Sequence, residues 1–192
     1  HWLVEEGLHG GGRWFGRVMV LILAWNVLRP LPLIGDMPRS LRLRWWLVTL
    51  LCLAAAAVLK QLSALSCPWN LAEFGGTARY ISHWSIAAWR GGDGGPGHCF
   101  PSGHASNAFA FLVGYMALRE SRPRLARVWL AAVFVIGAAF GLGQTLRGAH
   151  YPSHTLWTAW VCWALATGAW HARFARWPLG HTLRHGQQPP NP

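Results

Sequence analysis

The sequence predicts an all-α fold, a polytopic transmembrane helical bundle with five spans in this chain. Three observations predict it. The composition is 53% hydrophobic and only 12% charged, where a soluble domain carries about 25% charged residues. Fourteen tryptophans are spread over the 192 residues, as suits the aromatic belts at membrane surfaces. The apolar residues also fall into separate blocks divided by short basic loops. A net charge of +11 would admit a nucleic-acid partner, but the arginines build no single basic face. They cluster between apolar blocks, so membrane lipids rather than nucleic acid are the expected partners.

The blocks follow in order. The first, 15–34 ("FGRVMVLILAWNVLRPLPLI"), is the weakest, because Arg17, Asn26, Arg29 and two prolines interrupt it. Clearer ones run over 45–65, 103–118, 127–146 and 153–170. Each is about 16–21 residues, near the length that crosses a hydrocarbon core about 30 Å thick. The 66–102 loop is long for a connection. Its stretch "AEFGGTARYISHWSIAAW" (72–89) suits an interfacial helix, with His83 and Trp84 as headgroup contacts. "RGGDGGPG" (90–97) then breaks any regular element, and Glu73, Arg79 and Asp93 could recognise a headgroup, though single charges in a loop are usually just solvated. The domain is expected over 1–176, with a disordered cytoplasmic tail over 177–192.

Orientation follows from the arginines. Arg39, Arg42 and Arg44, then Arg119, Arg122, Arg124 and Arg127, then Arg173, Arg176 and Arg184 all fall on one side of alternating spans. That side is expected to be cytoplasmic, leaving 66–102 and 147–152 together on the opposite face. Five spans put the N-terminus outside beside Arg13 and Arg17, so a further helix upstream of His1 is expected.

Three pieces of the outer face could hold chemistry. Lys60, the only lysine, reads either as a side chain snorkelling to the interface or as a phosphate-binding ammonium. "FPSGHAS" (100–106) places a tight turn before a helix start, where backbone N–H groups form an anion site. There Ser102 can cap and donate, Gly103 lets a ligand approach, and His104 can exchange a proton near neutral pH. "QTLRGAHYPSHTLW" (144–157) sets Arg147, whose fork suits phosphate, three residues before His150.

Together these blocks resemble the type 2 phosphatidic acid phosphatase superfamily of membrane lipid phosphatases, whose signature reads K-x6-R-P, then P-S-G-H, then S-R-x5-H-x3-D. The chain offers Lys60 with Cys67-Pro68, then Pro101-Ser102-Gly103-His104, then Gly143-Gln144 with His150 and His154. The similarity covers about residues 15–170 and implies six helices in the full protein. It implies cofactor-free, metal-free phosphoryl transfer through a phosphohistidine, with a lipid phosphate as substrate. His150 would be the nucleophile and His104 the general acid and base. Lys60, Arg147, Ser102 and the N–H of Gly103 would hold the phosphate oxygens, with Gln144 in the same pocket.

Three positions depart from the family pattern. Cys67 and Gln144 stand where arginines belong, and His154 stands where the carboxylate that orients the nucleophile belongs. Arg147 is placed to supply one missing cation. A neutral His154, one turn after His150, can accept its ring proton without offering a full negative charge. Slower chemistry or a specialised substrate is therefore expected. Cys52 and Cys162 read as packing residues. Cys67 and Cys99 share the outer loop and are expected to pair if that face is oxidising, a cross-link contributing about 3–4 kcal/mol for a loop of roughly 33 residues.

Three other readings compete. His150 and His154, with His98, Cys99 and His104, could form a zinc shell. The chain could bind a lipid phosphate without turnover, or pass the phosphoryl group to a lipid acceptor instead of water. The arginine-for-lysine bias suits a GC-rich bacterial genome, hence a bacterial inner membrane with the site facing the periplasm.

Overall fold

The computed structural model describes residues 11–35, 37–82, 85 and 91–172. Six α-helices account for most of them: α1 (Gly11–Leu28), α2 (Arg39–Leu62), α3 (Gly103–Phe109), α4 (Val113–Leu118), α5 (Pro123–Leu146) and α6 (Pro152–His171). The architecture is all-α, and no strand occurs among the described residues. Proline marks where α5 and α6 begin, as expected at a position whose missing N–H would have no helical partner.

The 103–118 block forms one apolar column with a break. A 3-10 turn, Ala110–Leu112, joins α3 to α4. There the Trp129 indole of α5 donates to the Phe111 carbonyl at 2.7 Å. Gly114 admits this approach, since a Cβ there would lie 2.3 Å from Trp129 Nε1. The column is the buried centre of the bundle and packs against α1, α2, α5 and α6. Its own Phe109, Phe111 and Leu118, and Trp45 of α2, are each at most 4% exposed.

Among the described residues two helices, α2 and α5, are long and apolar enough to cross a membrane. The outer surface of α5 presents Val128, Val135 and Leu142, exposed at seven-residue intervals. The bundle has two chemically different ends. At one, Arg44 Nη2 donates to the carbonyls of Ala169, Trp170 and Ala172, and its guanidinium lies 4.7 Å from the Trp170 ring. Arg42 likewise donates to the Asn26 carbonyl. These arginines satisfy carbonyls that α6 and α1 leave open. The start of α1, the end of α2, the start of α3, the end of α5 and the start of α6 meet at the other end.

Two sequence expectations change here. The interfacial helix over 72–89 does not form in its described part. Ala72–Phe74 is a 3-10 turn that Gly75 ends at φ +91°, and Leu71 pairs with Ala78 in an isolated bridge. The loop instead folds on Asp93. That side chain is 5% exposed and accepts from Ser66 N at 2.6 Å, Ser66 Oγ at 2.7 Å and Gly95 N at 3.1 Å. Asp93 is a structural hub, and not a solvated charge, because three donors replace its water. His83, Trp84 and the tail from 177 lie outside the described residues.

Candidate active site

The loop carrying His150 is built by a helix ending. Gly148 adopts φ +68°, a conformation that costs glycine least. Gly148 N donates to Thr145 O, and Ala149 N donates to Gln144 O, both at 2.9 Å. This pair of bonds is the Schellman arrangement that closes a helix around a left-handed residue. It turns the chain off α5 and delivers His150 two residues later, just before α6.

His150 is 4% exposed and His154 3%. Their Nδ1 atoms are 3.2 Å apart, which the i, i+4 spacing allows at the start of α6. Phe100 packs edge-on against the His154 ring at 5.2 Å between centroids. Burial is the main cause that pulls the His150 pKa from 6.5 down to about 3. Charges on His154, Lys60 and His104 push the same way. His150 is therefore neutral at ordinary pH. That coupling also places Lys60 and His104 in its electrostatic neighbourhood.

The turn before α3 faces this pair. Its backbone is anchored from α6, where the Thr158 hydroxyl is shared between the carbonyls of His154 at 2.7 Å and Ser102 at 3.2 Å. Ser102 occupies the cap position but makes no side-chain cap bond. Its Oγ is buried with no hydrogen-bond partner among the described residues, so of the two roles the sequence allowed Ser102, the cap does not form. Lys60 reaches over the turn, with Nζ 3.7 Å from where a Cβ on Gly103 would sit. The start of α1 closes the other flank, since a Cβ on Gly12 would lie 3.5 Å from His104 Cδ2.

Arg147 Nη1 donates to Gln144 Oε1 at 3.3 Å, and its guanidinium lies 5.8 Å from the Trp69 ring. Gln144 is 1% exposed and its Nε2 has no partner among the described residues. Cys67 and Cys99 are disulfide-bonded. Cys99 Sγ touches Ala149 O at 3.0 Å and His150 Nδ1 at 3.4 Å, while Trp69 N donates to Gly148 O at 3.0 Å. The bridge thus ties the end of α2, the turn before α3 and the His150 loop together. The donors that converge as a possible metal set are Cys99, His150 and His154; His98 and His104 do not join that cluster.

A groove of about 680 Å³ opens beside Lys60, Gly103 and Ser106 and runs between α1 and α2 past Leu53, Leu50 and Leu21. A larger apolar groove of about 980 Å³ lies at the arginine end, beside Arg44 and Leu165, at the opposite end of α6 from His150 and His154. The sequence reading missed Thr158, Gly12 and the groove. The i+4 spacing of Thr158 from His154 was a usable signal. Gly12 gave none, because its role depends on how α1 crosses α3.

Two buried imidazoles in contact, a Ser-Gly turn at a helix start and a lysine over that turn therefore meet at one end of the helical bundle. The family model described as PAP2 superfamily matches residues 43–178, and the chain belongs to that superfamily, whose members are in general phosphatases. No curated protein and no solved structure matches the chain.

Proposed function

We propose that the chain is an integral membrane phosphatase that hydrolyses a phosphomonoester or diphosphate of a lipid at the extracytoplasmic face, through a phosphohistidine on His150 and without a metal. The observation that supports it most is the Nδ1–Nδ1 contact of 3.2 Å between two buried histidines. If His150 carries its proton on Nδ1, His154 accepts it there, and the lone pair of His150 Nε2 is left for the phosphorus. Burial keeps that lone pair free by holding the ring neutral.

The phosphate lies between Lys60, the Ser102 hydroxyl, the first-turn N–H groups of α3 and Arg147. These donors stabilise charge on the equatorial oxygens as the bond to the leaving oxygen lengthens. His104 protonates that oxygen and then deprotonates the water that cleaves the phosphohistidine. The lipid's apolar chain occupies the groove between α1 and α2. The exposed apolar stripe of α5 and the gathering of arginines at the far end support a membrane orientation with this site outside. The fivefold span count belongs to the same proposal, as does a bacterial inner membrane.

The test is phosphate release from a panel of lipid phosphates in detergent with chelator present. Wild type is expected to turn over, and His150→Ala and His104→Ala to lose activity. Acid quenching should trap an acid-labile phosphoenzyme in wild type alone. Equal turnover in all three proteins, or release that vanishes with chelator, would overturn the reading. Binding without release would assign the chain as a non-catalytic member, and a phosphorylated lipid acceptor as product would make it a transferase.

A further inference from the structure

Cys99, His150 and His154 are all buried, and their donor atoms lie within 4.8 Å of one another. Sγ of Cys99 is 3.4 Å from Nδ1 of His150, which is 3.2 Å from Nδ1 of His154. A tetrahedral zinc ion, with bonds of about 2.0–2.1 Å to imidazole and about 2.3 Å to thiolate, needs edges of about 3.3 Å between nitrogens and about 3.6 Å from nitrogen to sulfur. Two edges of such a site already stand within a few tenths of an ångström. What prevents it is the disulfide, since Cys99 bonded to Cys67 has no thiolate to offer.

We propose that the Cys67–Cys99 disulfide guards a latent zinc site, in which reduction frees Cys99 to bind Zn²⁺ together with Nδ1 of His150 and Nδ1 of His154. A dithiol is the reductant. It attacks the partly exposed Cys67 sulfur, the S–S bond breaks, and the dithiol leaves as a cyclic disulfide after giving two electrons and two protons to the cysteines. On coordination Cys99 releases its proton to solvent. The Nδ1 proton of His150 moves to Nε2, because the metal takes the Nδ1 lone pair. A water completes the fourth position. The consequence for turnover rests on the function proposed above: a proton on Nε2 removes the lone pair that attacks phosphorus, so the metal-loaded enzyme is arrested. The site itself does not depend on that reading.

The two cysteines have different roles in this scheme, and that makes it testable. Cys67→Ser leaves Cys99 as a free thiol, whereas Cys99→Ser removes a ligand, and both lose the same cross-link. The full chain is purified in detergent and titrated with Co²⁺, whose thiolate charge-transfer band in the near ultraviolet reports sulfur ligation. Oxidised wild type is expected to show no such band. Wild type reduced with dithiothreitol, then desalted without oxygen, should show it at one cobalt per chain. Cys67→Ser should show it without reductant, and Cys99→Ser in neither state. Should both variants fail to fold, reduced against oxidised wild type still decides. A Cys99→Ser protein that keeps the band, or reduced wild type that lacks it, overturns the proposal. In the activity arm, Zn²⁺ should slow Cys67→Ser more than 10-fold, reversibly with chelator, and leave oxidised wild type unchanged. A cobalt band without that inhibition upholds the site and counts against His150 as nucleophile.

Discussion

His150 is held neutral by its surroundings and not by a carboxylate. Its neighbour His154 can accept the Nδ1 proton but adds no negative charge to steady the ring once it is phosphorylated. His154→Asp should therefore raise phosphate release by about 5-fold, since a charge-assisted hydrogen bond is stronger by about 1 kcal/mol. His104→Ala should lower it by about 10²–10⁴-fold, the range for losing a general acid. Initial rates on one lipid phosphate check both. The depressed pKa of His150 has a consequence for stability as well. The folded state resists protonating it down to about pH 3, whereas the unfolded chain takes up that proton near 6.5. Its contribution is therefore complete above about pH 6.5 and lost as pH falls towards 3. Thermal unfolding at pH 7.5 and 4.5 should show a larger drop for wild type than for His150→Asn.

At the scale of elements, close helix packing depends on residues that lack a side chain, as is common between membrane helices. A Cβ on Gly137 of α5 would come within 2.5 Å of the buried Phe109 ring of α3. Gly137→Val should destabilise by about 1–3 kcal/mol through overpacking, read as a lower unfolding temperature in detergent with residual activity on the folded fraction. The opposite face of α5 tests the membrane itself. Val135 is exposed in mid-helix, and Val135→Arg should disfavour insertion by about 2.5–3.5 kcal/mol, measured as the inserted fraction in a translocon assay. Unchanged insertion would mean that this stripe does not face lipid. The helix blocks were legible because apolar runs and proline starts are local signals. Over its described residues the interfacial helix does not form, because Arg79 N donates to the Asp93 carbonyl beyond the segment and Ala78 pairs with Leu71 just before it, neither of which the apolar pattern shows. The 3-10 break in the central column was equally invisible, since the Trp129 indole that accompanies it comes from another helix.

Across the whole molecule, the proposed orientation puts Ala72 and Ser121 on opposite sides of the membrane. Ala72→Cys should react with a membrane-impermeant thiol reagent added outside intact cells, and Ser121→Cys only after permeabilisation; the reverse pattern would invert the topology. Much of the candidate site could be read along the chain. Pro101 to His104 announced a turn and a proton-transfer group, whereas the helix ending closed at Gly148, which presents His150, emerged only from the structure. The sequence by itself determined an all-α chain with apolar blocks, arginines gathered between alternate blocks and motif residues between the others, because each follows from local chemistry and spacing. Only the tertiary structure decided that Cys99 sulfur rests against His150, that Ser102 leaves its hydroxyl unused, that Thr158 holds the turn, and that Lys60 reaches over Gly103. Those meetings depend on helix tilt and crossing, which side chains from four different segments set together and no single stretch encodes.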